Sequence, residues 1–242
     1  MKNFGLIGKK LGHSFSQSYF ESKWNKEEIQ DCSYKLFEIA DISELPEVIK
    51  KNDLSGLNVT VPYKEDVIPF VTEMHSSATK VGAVNVLAID PENKVTGYNS
   101  DYFGFRQSLE NWISIDLIQE AFILGTGSAS KAVQAVLKDL DIGFQLVSRT
   151  QKRGTIGYDT LSLREENILV INTTPLGMYP NTDTSPDIPY HQISNHSYLY
   201  DLVYNPEETL FMRKGMEQGA AVKNGLEMLQ LQAEKSWEIW TS

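Results

Sequence analysis

Cysteine is all but missing from the 242 residues: Cys32 stands alone, so no disulfide can form within the chain, which fits a reducing compartment. Histidine is nearly as scarce. His13, His75, His191 and His196 lack the spacing of metal ligands and have no cysteine pair to join them, so no metal site is expected. No run approaches the roughly 20 apolar residues of a spanning helix, and the apolar stretch in the opening M-K-N-F-G-L-I-G-K-K is too short for a signal-peptide core. The expected location is therefore the cytoplasm. Basic residues are outnumbered, 22 against 32 acidic ones, for a net charge of -10. Such a field disfavours nucleic acid and anionic membranes, so any anionic ligand must be held by local groups. Fixed-period repeats and low-complexity segments are absent as well.

What is there is an apolar content of 41%, enough to bury a core, arranged in two alternations of strand and helix. In the first, Phe4 to Ile7, Tyr34 to Ile39, Leu57 to Val61 and Val84 to Ile89 read as strands, and Gln17 to Trp24, Ser43 to Lys50 and Glu65 to Val81 as largely helical. That rhythm predicts an α/β domain with a mostly parallel sheet. A second alternation follows Trp112. Strands are expected at Ala121 to Leu124, Phe144 to Ser148, Ile168 to Asn172 and Tyr198 to Leu202, and helices at Ala129 to Leu140 and Thr209 to Gln218. Pro, Asn, Asp, Ser and Thr crowd Pro175 to Asn195, which reads as a loop. The last helix carries Leu226, Leu229, Ala233, Trp237 and Trp240 as one apolar stripe. The second sheet has helices of its own, so this one is expected to return to the first domain. The division expected is 1–101 completed by 225–242, with 102–224 as a Rossmann-like doubly wound dinucleotide-binding domain.

In A-F-I-L-G-T-G-S-A-S-K-A, Gly125 and Gly127 sit between a buried strand and a helix. A dinucleotide fingerprint needs that context: the first glycine makes the turn, the second lets backbone approach a pyrophosphate, and the helix N-terminus faces its charge. An NAD site usually has an acid at the end of the next strand. Here stand Ser148, Arg149 and Thr150, followed by Lys152 and Arg153, and a guanidinium suits the 2′-phosphate of NADP.

Three polar groups stand out earlier. In G-H-S-F-S, Ser14 and Ser16 flank Phe15 ahead of a helix; they can hold a carboxylate, or Ser16 or Ser18 can serve as a helix cap. In L-N-V-T-V-P-Y-K, Asn58 and Thr60 share one face of a strand, and Pro62 suits a helix start. Lys64 would then lie in a helical first turn, where the dipole disfavours a cation and favours a proton-transferring lysine. In G-Y-N-S-D-Y-F-G, Asn99 and Asp101 lie between strand and helix, where Asp101 is also a good cap, and Asn85 sits inside an apolar run, where an amide must be hydrogen-bonded or face a ligand.

Taken in order, a serine pair, N-V-T-V-P-x-K, G-A-V-N, N-x-D-x-x-G, the glycine turn, a strand ending in R-T and G-L-x-M-L-x-x-Q resemble the shikimate dehydrogenases over nearly the whole chain. The resemblance implies reversible, NADP-dependent reduction of 3-dehydroshikimate to shikimate, with Lys64 and Asp101 as the catalytic pair. It implies Ser14 and Ser16 on the substrate carboxylate, and Thr60, Asn85, Asn99 and Gln232 at hydroxyls or lining the pocket. Gly125, Thr126, Gly127, Ser128 and Ala129 would form the phosphate loop, Ser148, Arg149, Thr150 and Arg153 the 2′-phosphate site, and Leu202, Tyr204 and Gly225 the nicotinamide border. The sequence departs from the family pattern at Ser128, usually glycine, Ser148, usually asparagine, and Ser100, usually threonine. The interval from Ile156 to Leu163 is also short for a helix and strand. A quinate/shikimate dehydrogenase using NAD and a non-catalytic dinucleotide sensor are the alternatives, and the expected assembly is a monomer or homodimer.

Overall fold

The computed structural model describes residues 2–12, 14–150, 152–164 and 166–242; His13 of the serine motif lies outside them. The chain divides into two compact units, one running up to Phe103 and including Gln232–Ser242, the other Gly104–Leu231. No helix among the described residues is long and apolar enough to cross a membrane.

The first unit holds strands β1 (Lys2–Gly8), β2 (Cys32–Glu38), β3 (Leu54–Val59), β4 (Glu73–Met74), β5 (Val86–Ile89) and β6 (Val95–Tyr98), and helices α1 (Phe15–Lys26), α2 (Leu45–Asn52) and α3 (Ser76–Val81). Helix α4 (Ser100–Trp112) begins in this unit. Among the described residues the strands make one sheet in the order β2-β1-β3-β5-β6-β4. Its β1, β2 and β3 run parallel, as do β4 and β6, while β5 is antiparallel to β3 and β6. Five of these six strands thus run the same way and β5 is reversed, so the sheet is mostly parallel, as expected, with one antiparallel strand. The cause of the reversal is the tight turn 90–94, in which the Asp90 carboxylate accepts from the Glu92 and Lys94 amides and Asn93 takes left-handed backbone; so short a connection allows only antiparallel pairing.

Alternation along each strand sends side chains to two cores. Ile7, Leu57, Val59 and Leu87 meet Leu45 and Ile49 of α2 on one face. Phe4, Tyr34 and Val86 meet Phe20 and Trp24 of α1 and Trp240 on the other. Trp240 belongs to the final helix, α7 (Leu226–Thr241), which the chain reaches only after the second unit. It stacks on Phe4 at 4.7 Å between ring centroids and donates its indole N–H to the Leu87 carbonyl at 3.0 Å. A Cβ at Gly56 would run into its indole, so β3 needs glycine there.

The expected helix over Glu65–Val81 is largely replaced. Turns occupy 61–67, a 3₁₀ turn follows at Ile68–Phe70, then β4, and only α3 is helical. Pro69 lacks the amide a helix needs, and Val67, Ile68, Val71 and Thr72 are stiff β-branched residues.

The second unit holds β7 (Glu120–Leu124), α5 (Ser128–Asp139), β8 (Phe144–Val147), β9 (Thr155–Ile156), β10 (Ile168–Asn172), β11 (Tyr198–Asp201), α6 (Leu210–Met216), β12 (Ala221–Lys223) and the start of α7. Its sheet is parallel throughout, in the order β12-β11-β10-β7-β8-β9. Numbered within the unit from the β9 edge, that is third, second, first, fourth, fifth, sixth, the order of doubly wound dinucleotide-binding sheets. The direction of winding switches between β7 and β10. Residues 148–154 alone connect β8 to its parallel neighbour β9, too few for a crossover helix, and the connection closes because β9 is so short.

Candidate active site

In the first unit the C-terminal ends of β1 and β3 face the start of α4. Lys64 leaves the turn after β3, where its carbonyl accepts from the Val84 amide at 2.7 Å. Its ammonium donates to Asp101 Oδ2 at 2.6 Å, the two side chains being 16% and 15% exposed. Of the three N–H donors of the ammonium, one meets Asp101 and two carry no hydrogen bond among the described residues. The helical first turn expected around Lys64 is absent, so Asp101, not a helix dipole, is the group that faces it.

Asn99 places Asp101. Its Oδ1 accepts from the Tyr102 amide at 3.0 Å, its Nδ2 donates to the Ala83 carbonyl at 2.9 Å, and its own amide donates to Ser77 Oγ at 3.1 Å. Asn99 therefore caps α4 while Asp101 is left to pair with Lys64. Asn85, also buried, accepts the Ser100 amide at 2.7 Å and donates to Ser100 Oγ at 3.2 Å. Ser100 Oγ in turn donates to Gln232 Oε1 at 3.2 Å, so Asn85, Ser100 and Gln232 form one connected group. Ser14 is the cap of α1, accepting from the Gln17 amide at 3.4 Å, in place of the Ser16 or Ser18 expected from sequence; Ser16 stands in the first turn. Thr60, half-buried, follows β3, with its amide bonded to the Ile7 carbonyl at 3.0 Å. All eight residues expected at the substrate belong to this unit.

In the second unit a cavity of about 1100 Å³ opens at the switch between β7 and β10. Gly125, Thr126 and Gly127 line one side, Thr173 to Leu176 another, and Ser148, Arg149, Tyr158 and Asp159 the end beyond β8. Gly125 has φ +110, and a Cβ there would sit 2.8 Å from the Thr173 hydroxyl, so the turn requires glycine. Gly127 caps α5 without a side-chain hydrogen bond, and nothing lies within 4 Å of where its Cβ would be. The first amides of α5 thus face open space, a seat for phosphate oxygens. Arg149, exposed at the same cavity, has no hydrogen-bond or ion-pair partner among the described residues. Backbone donors, a helix N-terminus and an unengaged guanidinium suit a dinucleotide bearing an extra phosphate. Ser128, Ala129, Thr150 and Arg153 flank this cavity in sequence without lining it. Leu202, Tyr204 and Gly225 do not line it either: Gly225 packs against Leu202, whose carbonyl a Cβ would strike, and its amide donates to the Val203 carbonyl at 3.1 Å.

Sequence reasoning missed the support beneath the cavity wall. Asp201, fully buried at the end of β11, accepts from Thr209 Oγ1 at 2.6 Å, Asn172 Nδ2 at 2.9 Å and the Val203 amide at 3.0 Å. Asn172 Oδ1 accepts from the Thr174 hydroxyl at 2.7 Å, which carries the support to the cavity lining. The signal was an aspartate closing the apolar run Y-L-Y. Burial raises the Asp201 carboxyl to about 6, against the hydrogen bonds from Thr209, Val203 and Asn172. A pKa raised in the folded state favours folding fully below the unfolded value near 4 and loses that contribution as pH rises through about 6. Asp201→Asn cannot ionise and keeps the acceptor for Asn172 and Val203. The stability of the wild type relative to this variant therefore falls between pH 4.5 and 8, by on the order of 2–3 kcal/mol in parallel thermal melts.

The fold and these two sites define a dinucleotide-binding α/β protein whose other unit carries a lysine–aspartate pair. A family model described as the shikimate dehydrogenase substrate binding domain matches residues 6–87. A shikimate dehydrogenase (NADP(+)) of Clostridium beijerinckii is 40% identical, covering 99% of this chain and 92% of that protein. Among solved structures, the chorismate mutase/shikimate 5-dehydrogenase fusion protein from Clostridium acetobutylicum matches with a TM-score of 0.89 at 35% identity, over 99% of this chain and 91% of that one. The shikimate 5-dehydrogenase from Thermus thermophilus in complex with NADP(H) and shikimate matches with a TM-score of 0.86 at 26% identity, over 100% and 94% of the chains. The chain belongs to the shikimate dehydrogenase family.

Proposed function

We propose that this protein catalyses the reversible, NADP-dependent reduction of 3-dehydroshikimate to shikimate, and the observation that carries the reading is the Lys64–Asp101 pair at 2.6 Å. When bound, the cofactor supplies the hydride, which goes to the carbonyl carbon at C3 of the substrate. Lys64 gives a proton to the carbonyl oxygen as negative charge develops there, and takes it back from the hydroxyl in the reverse direction. Asp101 fixes the ammonium so that its remaining N–H bonds point away from the carboxylate and toward substrate. Ser14 and Ser16 hold the carboxylate, and Thr60 and Gln232 meet ring hydroxyls. Asn85 and Asn99 act mainly by holding Ser100 and the start of α4.

On the other unit, Gly125 to Gly127 and the N-terminus of α5 seat the pyrophosphate, and Arg149 takes the 2′-phosphate. A single cysteine and a net charge of -10 agree with work in the cytoplasm on a small molecule rather than on nucleic acid. Purified protein incubated with shikimate and NADP, with quinate and NAD in parallel, tests the reading through the absorbance of reduced nicotinamide. Reduction fastest with shikimate and NADP is the expected result; folded protein silent with every pair would leave a non-catalytic dinucleotide binder.

A further inference from the structure

A side chain with no role of its own in the mechanism above stands at the start of α4. Ser100 is fully buried and directly precedes Asp101, the partner of Lys64. Its hydrogen bonds have a polarity that can be followed atom by atom. The Ser100 backbone N–H can only donate, so the Asn85 atom that meets it at 2.7 Å is the oxygen, Oδ1. Asn85 Nδ2 is thereby turned to Ser100 Oγ, which lies nearer to it, at 3.2 Å, than to Oδ1, at 3.4 Å. Accepting from Asn85, the hydroxyl keeps its one hydrogen for Gln232 Oε1 at 3.2 Å. Ser236 Oγ, 3.4 Å from Ser100 Oγ, directs its own hydrogen to the Gln232 carbonyl at 2.8 Å. The relay from backbone amide to Asn85 to Ser100 thus fixes the sense of the Gln232 carboxamide, oxygen toward Ser100 and Nε2 turned the other way.

We propose that Ser100 is a positioning residue for the hydroxyl-reading part of the substrate site, orienting Gln232 so that its Nε2 donates to a ring hydroxyl oxygen. The role rests on the functional reading above, in which Gln232 meets a ring hydroxyl, and it adds the direction of that contact. An unheld carboxamide can present either its oxygen or its nitrogen. Held by Ser100, Gln232 presents the donor, and a substrate lacking the matching hydroxyl leaves that donor unpaired. Alanine at position 100 interrupts the relay, whereas threonine carries the same hydroxyl.

The test compares oxidation of shikimate with that of its 4-deoxy and 5-deoxy analogues by wild type, Ser100→Ala, Gln232→Ala and the double variant, with NADP saturating. Wild type is expected to prefer shikimate over at least one analogue in kcat/KM. Ser100→Ala should reduce that preference about three- to tenfold, with the KM for NADP unchanged. The double variant should lose no more preference than Gln232→Ala alone, since both act at one contact. Ser100→Thr should keep the preference, and Ser100→Val, of the same shape without the hydroxyl, should lose it. Gln232→Glu, assayed at about pH 8 where its carboxylate only accepts, should lose it as fully as Gln232→Ala; this variant leaves Ser100 in place and decides the matter where Ser100→Ala does not fold. A purely structural Ser100 would lower the melting temperature and move shikimate and its analogues together, which overturns the role. So does an unmoved ratio in folded Ser100→Ala, a Gln232→Glu that keeps the wild-type preference, or a wild type that treats all three substrates alike. A wild type inactive on shikimate overturns the functional reading first, and this role with it.

Discussion

Lys64→Ala lowers kcat/KM for shikimate oxidation by about 10² to 10⁴, the usual loss when a positioned acid–base group is removed. The drop is expected mainly in kcat, because the carboxylate and hydroxyl contacts assigned to other residues remain. Removing the lysine also leaves the Asp101 carboxylate, 15% exposed, without its partner at 2.6 Å, so a thermal melt of the variant must accompany the kinetics. Lys64→Arg separates the two possible contributions of the residue. A guanidinium keeps the positive charge and the pairing with Asp101 but does not release a proton in the accessible pH range. If Lys64 transfers the proton, the arginine variant stays as impaired as the alanine variant; recovery to within a few-fold of wild type would make it a charge anchor, and the proton path would have to be sought elsewhere.

The second large effect concerns the cofactor. Arg149→Ala raises the KM for NADP by about 10- to 100-fold, the loss of charge-assisted bonds to a phosphate, and changes the KM for NAD less than twofold. The selectivity of the effect follows from the surroundings. In a chain of net charge -10, Asp159 and Asp187 line the same cavity, so Arg149 is the cation that offsets them for a second phosphate. Parallel initial rates with the two cofactors decide the matter. A variant that weakens NAD and NADP alike would move the role of Arg149 from the 2′-phosphate to the shared part of the dinucleotide.

Much of the architecture was legible because it is local, written in short apolar runs and one helical stripe. Short apolar, β-prone runs marked β1, β2, β7, β10 and β11 to within a few residues, and the i, i+3, i+4 stripe marked α7. The glycine turn was legible because Gly125 occupies backbone that a side chain would strain, a requirement written into a single position. The segment 61–81 was not. Its mixture of Pro, Val and Glu satisfies no one period, and hydrogen bonds from Thr72 and His75 to Val95 and Gly97 draw it onto the sheet edge instead. Asn99 and Asp101 were recognisable as a pair of polar residues at a helix start, but local sequence favoured Asp101 as the cap, and the hydrogen bonds of Asn99 to the Tyr102 amide and the Ala83 carbonyl decided for Asn99.

By itself the sequence determined the class of each local element, the chemistry available at the glycine turn and the motifs around Lys64 and Asp101, and through them the family. Tertiary structure alone decided the pairings: Lys64 with Asp101 across 37 residues, Tyr34 with Asn58 across 24, and Asn58 with Ser236 across 178. The reason is physical. Helical and strand periods are set by backbone geometry over a few residues, whereas a side-chain hydrogen bond between distant residues depends on sheet order, register and the helix packed above, which no local pattern specifies.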